Sequence, residues 1–283
     1  MKKKSEVIVI LGQTATGKSA LAVKIAKKVN GEIISADSRQ VYKGLNIGTG
    51  KITKTEMQSI PHHLLDVVSP KKRFTVAEYQ KLAISAMADI LKRNRTPIIV
   101  GGTGFYIDAI TKGIVFPEVP PNLKLRKNLE KKNVKELFKI LKKLDNIRSK
   151  NIDKDNKVRL IRAIEIAKAL GRVPKITGTK LPYRFIKVGL YLPQAMLKKR
   201  IEKRVKEMFA QGLLGEIKKL KKNGVSDRRL REFGFEYFQP TFERVVKGTL
   251  KYAKRQMTWF KRDKEIKWFD SSKLKISMLE FIK

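Results

Sequence analysis

Residues Gly12-Gln13-Thr14-Ala15-Thr16-Gly17-Lys18-Ser19 have the types and spacing of a phosphate-binding loop. The pattern Gly-x4-Gly-Lys-Ser/Thr carries a mechanism. The glycines let backbone N–H groups converge on one anion, and the helix that follows adds the positive end of its dipole. Lys18 supplies a point charge to the phosphate oxygens. The Ser19 hydroxyl is placed to ligate Mg²⁺. The loop specifies a diphosphate or a triphosphate and does not choose ATP.

Asp37 is the second chemical feature. It ends an apolar run, so it is expected at the carboxyl end of a strand, beside the loop. In a nucleotide-hydrolysing protein it would hold Mg²⁺. No glutamate follows in Ser38-Arg39-Gln40 to activate a water. In a group transferase it would take a proton from the incoming nucleophile. As a plain turn aspartate it would cap its own backbone.

These groups need a rigid frame, and the sequence predicts one. Residues 6–11 are a continuous apolar run, as in a buried parallel strand. Leu21, Ile25 and Val29 then recur at helical spacing up to Asn30-Gly31. A second strand covers 32–36. A helix covers 75–93, and a third strand covers 97–100, ending in Gly101-Gly102-Thr103-Gly104. This alternation predicts an α/β fold, a P-loop core with a doubly wound parallel sheet. Pro117, Pro120 and Pro121 mark a boundary. Two amphipathic stripes follow, one of Val134, Leu137, Phe138 and Leu141, the other of Leu160, Ile161, Ile164 and Ala167. Residues 171–182 read as a return linker, 186–192 as a strand, and Leu197, Ile201, Val205 and Met208 as a further helix. The expected organisation is a core of 1–113 and 181–283 with a small all-helical insertion, 114–180.

Composition narrows the function. No cysteine is present, which excludes disulfides, thiolate zinc sites and a cysteine nucleophile. No apolar stretch is long enough to span a membrane, and none reads as a signal peptide. The formal net charge is +39, and residues 114–180 hold 19 basic against 7 acidic residues. Such a field favours a polyanion, above all nucleic acid, although lysine-rich solvated faces would also produce it.

Longer signatures carry a family resemblance. Residues 34–51, from Ile34 through Asp37-Ser38-Arg39-Gln40 to Lys51, resemble the signature of the tRNA dimethylallyltransferases. So do Pro61–Asp66, Val100–Tyr106, Arg159–Glu165, Arg231–Tyr237 and Lys254–Phe260, in the family's order along nearly the whole chain. Gln13, Thr16, Gly50, Ile52, Phe233 and Phe235 depart mildly from the usual pattern.

The resemblance implies transfer of a dimethylallyl group from dimethylallyl diphosphate to N6 of the adenine 3′ to the tRNA anticodon. Residues 12–19 would then bind the diphosphate, with Lys18, Mg²⁺ at Ser19 and Arg231 neutralising it as it leaves. Asp37 would be the general base. Thr103 would contact either the bridging oxygen or the adenine. The adenine must be flipped out of its stack, and Asp37, Ser38, Arg39, Gln40 and Thr103 resemble the wall of its pocket. Arg126, Arg159, Arg162, Arg255 and Gln256 resemble tRNA contacts, though Arg159 and Arg162 would equally suit a solvated helix face. Trp259 suits a core role as well as base stacking. His62 and His63 read as structural or substrate-lining, with no zinc expected. A cytoplasmic monomer is expected. Three alternatives remain: a nucleoside or nucleotide kinase with 114–180 as its lid, a prenyltransferase acting on free adenine nucleotides, and a non-enzymatic RNA-binding ATP switch.

Overall fold

The structure is a computed structural model that describes residues 4–275 and Glu280. It contains two compact units, Met1–Gly113 with Lys180–Lys283, and Ile114–Thr179.

The larger unit begins β1 (Ser5–Gly12), α1 (Lys18–Lys28), β2 (Gly31–Ala36), α2 (Lys54–Met57), β3 (His62–His63), α3 (Val76–Lys92), β4 (Thr96–Gly101) and α4 (Gly104–Thr111). The smaller unit supplies α5 (Leu123–Glu130), α6 (Val134–Leu144), α7 (Asn146–Lys150) and α8 (Lys157–Leu170). The larger unit resumes with β5 (Tyr183–Tyr191), α9 (Gln194–Ala210), α10 (Leu213–Lys222), α11 (Asp227–Phe233), α12 (Phe242–Phe260) and β6 (Lys267–Asp270).

Among the described residues six strands form one sheet in the order β3-β2-β4-β1-β5-β6, with each neighbouring pair parallel. β1 is central and is apolar on both faces because both faces are covered. Val7, Val9 and Leu11 enter one core with Tyr79 and Met87 of α3, while Ile8 and Ile10 enter a second with Leu21 and Ile25 of α1. This alternation gives the doubly wound α/β architecture that the apolar runs predict. It also brings the carboxyl ends of β1, β2 and β4 to one edge of the sheet. The short edge strands β3 and β6 have no separate signature in the sequence. They take their strand form from pairing with β2 and β5.

Helix boundaries follow local chemistry. Thr75 caps α3 through the Glu78 amide while Glu78 reaches back to the Thr75 amide, a reciprocal capping box. Asn133 and Glu136 do the same for α6.

Within the smaller unit, the α6 stripe packs against that of α8 through Leu137, Leu141, Leu160 and Ile164. The segment's two ends meet, with an antiparallel bridge between Ile114 and Gly178 and a 2.9 Å bond from Val115 N–H to the Thr177 carbonyl. The unit also contains a buried ionic centre. Glu165, 2% exposed, accepts two hydrogen bonds from Arg126 (2.9 and 2.7 Å), one from Arg162 and one from the Asn122 amide (2.6 Å). Burial pushes the Glu165 carboxyl up, but the arginine hydrogen bonds outweigh it and the net shift is downward. Glu165→Ala leaves two guanidinium groups without their shared counter-ion. We expect it to cost about 3 kcal/mol, read as a lower unfolding midpoint in urea, with Glu165→Gln recovering part of the loss. An unchanged midpoint would remove this centre from the account of stability.

No helix among the described residues is long and apolar enough to cross a membrane.

Candidate active site

The loop is built by close backbone approach. A Cβ on Gly12 would lie 2.1 Å from the Leu190 carbonyl oxygen of β5, so only glycine fits. Ala15 (φ 61°) and Gly17 (φ 83°) adopt left-handed conformations that turn the chain into the first turn of α1. Gly17 caps that helix without a side chain. Thr16 Oγ1 and Lys18 Nζ both donate to the Gln13 carbonyl, at 2.7 and 2.5 Å. Burial and, after it, the nearby Arg204 charge lower the Lys18 ammonium to about 7, with Asp37 opposing both.

Asp37 lies immediately after β2, half-buried. Its Oδ1 accepts from the Arg39 amide (2.8 Å) and the Gln40 amide (3.3 Å). The capping function open in the sequence is therefore present, and it fixes the direction of the carboxylate. Thr103 lies just beyond β4. Its Oγ1 accepts from the Ser38 amide at 3.0 Å and is 3.3 Å from the Ser38 hydroxyl. Neighbouring strands thus join the turn that carries Asp37 to the glycine-rich turn that carries Thr103. Arg39 is ion-paired to the buried Glu236 at 2.5 Å and lies over the Tyr252 ring, 5.6 Å from its centroid. Gln40 Nε2 donates to the Thr49 and Gly50 carbonyls at 3.3 and 3.4 Å.

The sequence places Gln256 on an RNA-binding surface, whereas the structure buries it at 5% exposure. Its Oε1 accepts from the Thr14 amide (2.8 Å) and its Nε2 donates to the Gly102 carbonyl (2.9 Å). Gln256 therefore ties the phosphate loop to the turn after β4. A Cβ on Gly102 would lie 2.0 Å from that Nε2, which accounts for glycine there. Trp259 takes the core role, packing against Gly104, with its indole N–H on Asp108 at 3.2 Å.

The remaining expected residues divide. Ser19 is exposed in the first turn of α1. Arg255 is exposed, 5.7 Å from the Tyr252 ring centroid. Arg126 and Arg162 are turned inward onto Glu165, and Arg162 also donates to the Val119 carbonyl at 2.9 Å. Arg159, one helical turn away, is exposed, 3.8 Å from Asp153. Arg231 stacks over Phe238 at 4.4 Å, and the guanidinium coupled to the loop belongs instead to Arg204 of α9. His62 and His63 bond separate partners, the Ile60 carbonyl (2.8 Å) and the buried Glu32 (2.6 Å). Among the described residues no group of three or more His, Cys, Asp or Glu could hold a metal.

Sequence reasoning missed Arg204 and Tyr252. Tyr252 lies on the same helix as Gln256, its hydroxyl 3.5 Å from the Gly102 carbonyl, and burial raises that hydroxyl to about 12. Each is one basic or aromatic residue within an ordinary amphipathic helix, and nothing local distinguishes it.

A parallel sheet whose central strand runs into an anion-binding loop, with a carboxylate and hydroxyls at the adjoining strand ends, defines a P-loop enzyme. The chain belongs to the IPP transferase family, whose model matches residues 40–263. It is similar to a tRNA dimethylallyltransferase of Anoxybacillus flavithermus, 40% identical over 280 residues that cover 94% of this chain and 90% of the relative. The crystal structure of a full-length tRNA isopentenylpyrophosphate transferase from Bacillus halodurans superposes with a TM-score of 0.72 at 34% identity, covering 99% of this chain and 95% of that one. A eukaryotic dimethylallyltransferase acting on tRNA superposes with a TM-score of 0.78 at 29% identity, over 94% of this chain and 74% of that one.

Proposed function

We propose that this enzyme transfers a dimethylallyl group from dimethylallyl diphosphate to N6 of the adenine 3′ to the anticodon of tRNA, releasing diphosphate. One observation carries the reading. The phosphate loop, Asp37 and Thr103 stand at the carboxyl ends of adjacent strands and are joined there by Gln256 and the Ser38–Thr103 bond.

The chemistry follows from that placement. The allylic C–O bond breaks with its electron pair going to the diphosphate. Lys18 and the loop amides stabilise that charge where it develops. The N6 lone pair forms the new N–C bond, and the N6 proton passes to the Asp37 carboxylate, held in direction by the Arg39 and Gln40 amides. Thr103 holds the turn that aims Asp37 and lies at the same strand edge as the reacting groups. The donor set fits Mg²⁺ that would take the Ser19 hydroxyl and otherwise substrate oxygens and water, since no carboxylate cage is built among the described residues. When bound, the ion neutralises the leaving diphosphate.

The target base must leave its stack to reach this edge. Ser38, Arg39 and Gln40 would form the near wall of its pocket. The exposed Arg159 and Arg255, with the basic surface of 114–180, would hold tRNA phosphates. This reading makes the protein a cytoplasmic monomer with tRNA and dimethylallyl diphosphate as its partners.

The test is transfer of label from dimethylallyl diphosphate to unmodified tRNA with an adenine-rich anticodon loop, run beside AMP. Labelled tRNA is expected. Label in AMP alone would move the substrate to free nucleotides. Phosphoryl transfer or ATP hydrolysis without prenylation would overturn the reading.

A further inference from the structure

Three cations, Lys18, Arg204 and Arg39, lie close enough to Asp37 to feel its charge. A carboxylate that pairs with a cation loses basicity and has an oxygen occupied. Lys18 and Arg204 are held by backbone carbonyls. Lys18 Nζ donates to the Gln13 carbonyl at 2.5 Å, and Arg204 Nη2 donates to the Thr49 and Gly50 carbonyls at 3.4 and 3.3 Å. Arg39 is held differently. It lies two residues after Asp37 in the same turn, and its backbone amide is already on Asp37 Oδ1. Its guanidinium is held by a full opposite charge, that of Glu236.

Glu236 is 3% exposed. Arg39 Nη1 donates to its Oε2 at 2.5 Å and to the Phe233 carbonyl at 3.5 Å. The segment that carries both acceptors is itself anchored. The Phe233 ring packs on Tyr42 with centroids 5.0 Å apart, and the Tyr237 hydroxyl donates to Glu216 at 2.9 Å. Gly234 (φ 113°) leaves room for the pair, since a Cβ there would lie 3.3 Å from Glu236 Oε2 and 3.6 Å from Arg39 Nη1. Burial disfavours the Arg39 charge, but the Glu236 and Asp37 carboxylates outweigh it. Burying two ions costs about as much as their pairing returns. Stability of the fold is therefore a poor account of an ion pair built beside a base.

We propose that Glu236 is a positioning residue for proton transfer: it draws the Arg39 guanidinium away from Asp37 and so keeps one oxygen of that carboxylate open to the N6 proton. Oδ1 is committed to the Arg39 and Gln40 amides, which leaves Oδ2 as the oxygen at stake. Without the Glu236 charge, Asp37 is the carboxylate left to Arg39 in its own turn. The inference rests on Asp37 as the proton acceptor. A wild-type rate in Asp37→Asn would overturn that reading. A slow Asp37→Asn beside a wild-type rate in Glu236→Gln would overturn this inference alone.

The experiment is single-turnover prenyl transfer by the full chain, with filter binding of tRNA and urea unfolding alongside. Glu236→Gln keeps the shape and one acceptor oxygen and removes the charge. It is expected to slow transfer about 10- to 100-fold, the range for one hydrogen bond to a charged group. tRNA affinity should stay within about threefold of the wild type. Adding Arg39→Gln to Glu236→Gln should speed transfer about fivefold or more, because the guanidinium that occupies Asp37 is then gone. In an Asp37→Asn background, Glu236→Gln should cost less than about threefold, because no base is left to block. A pair that only supports the fold predicts the opposite, a further loss with each change. A wild-type rate in Glu236→Gln, no gain on adding Arg39→Gln, or an undiminished loss in the Asp37→Asn background would overturn the proposal. Where Glu236→Gln does not unfold cooperatively, Arg39→Gln is compared with the Arg39→Gln/Glu236→Gln double variant. With no guanidinium to restrain, the second change should not slow transfer, and a further loss of about tenfold would overturn the proposal.

Discussion

Asp37→Asn is expected to lower the rate of prenyl transfer about 10²- to 10⁴-fold, the range for a positioned general base. Asparagine is the informative replacement. Its amide oxygen can still accept the Arg39 and Gln40 amides that Oδ1 holds, so the turn is preserved while the proton acceptor is lost. Alanine would remove both functions and confound them. Rapid-quench single-turnover transfer measures the chemical step, and filter binding shows that tRNA affinity is retained. A single-turnover rate equal to the wild type would remove Asp37 from the proton transfer and leave it as a turn cap.

Lys18→Met is the second large expected effect, a fall of about 10²- to 10³-fold in kcat/KM for dimethylallyl diphosphate. Lys18 differs from a surface lysine because burial and the Arg204 charge lower its ammonium to about 7. Below that pH the side chain is charged and attracts diphosphate. Above it the free enzyme loses that charge, so kcat/KM should fall as pH rises through about 7. Bound diphosphate favours the charged form and moves the titration upward, so kcat under saturating donor should persist to higher pH than kcat/KM. Lys18→Met should lose this fall near neutrality while keeping any dependence due to other groups. A wild-type profile of kcat/KM that stays flat between pH 6 and about 9 would show that Lys18 remains fully charged in the free enzyme.

Much of the frame is legible from local sequence. The unbroken run through β1 requires a strand buried on both faces, and both cores confirm that. The α6 and α8 stripes identify their facing surfaces by helical period. The edge strands β3 and β6 are not legible, because a two-residue and a four-residue strand depend on a neighbour for their hydrogen bonds. The site divides in the same way. The phosphate loop, Asp37 and Thr103 are recognisable because backbone geometry at a strand end restricts residue type over a few consecutive positions.

The arginines are less legible because a long polar side chain is free to turn inward or outward from the same helix face, and Gln256 because only folding decides which face of α12 meets the phosphate loop. Arg159 and Arg162 lie three apart on α8, yet one is exposed and the other bonds to Glu165. Gln256 follows Arg255 directly. Arg255 is exposed, and Gln256 is buried between Thr14 and Gly102.

The amino-acid sequence by itself determined the phosphate loop, the α/β frame and the family signatures, because these depend on contiguous residues and short periodicities. Tertiary structure alone decided which guanidinium reaches the loop. Arg231 stacks on Phe238, and Arg204, 185 to 192 positions after the loop residues, is held at it by two carbonyls. No local pattern encodes that choice. The position of a flexible charged side chain is set by the acceptors that folding brings around it, and those lie far away in the chain.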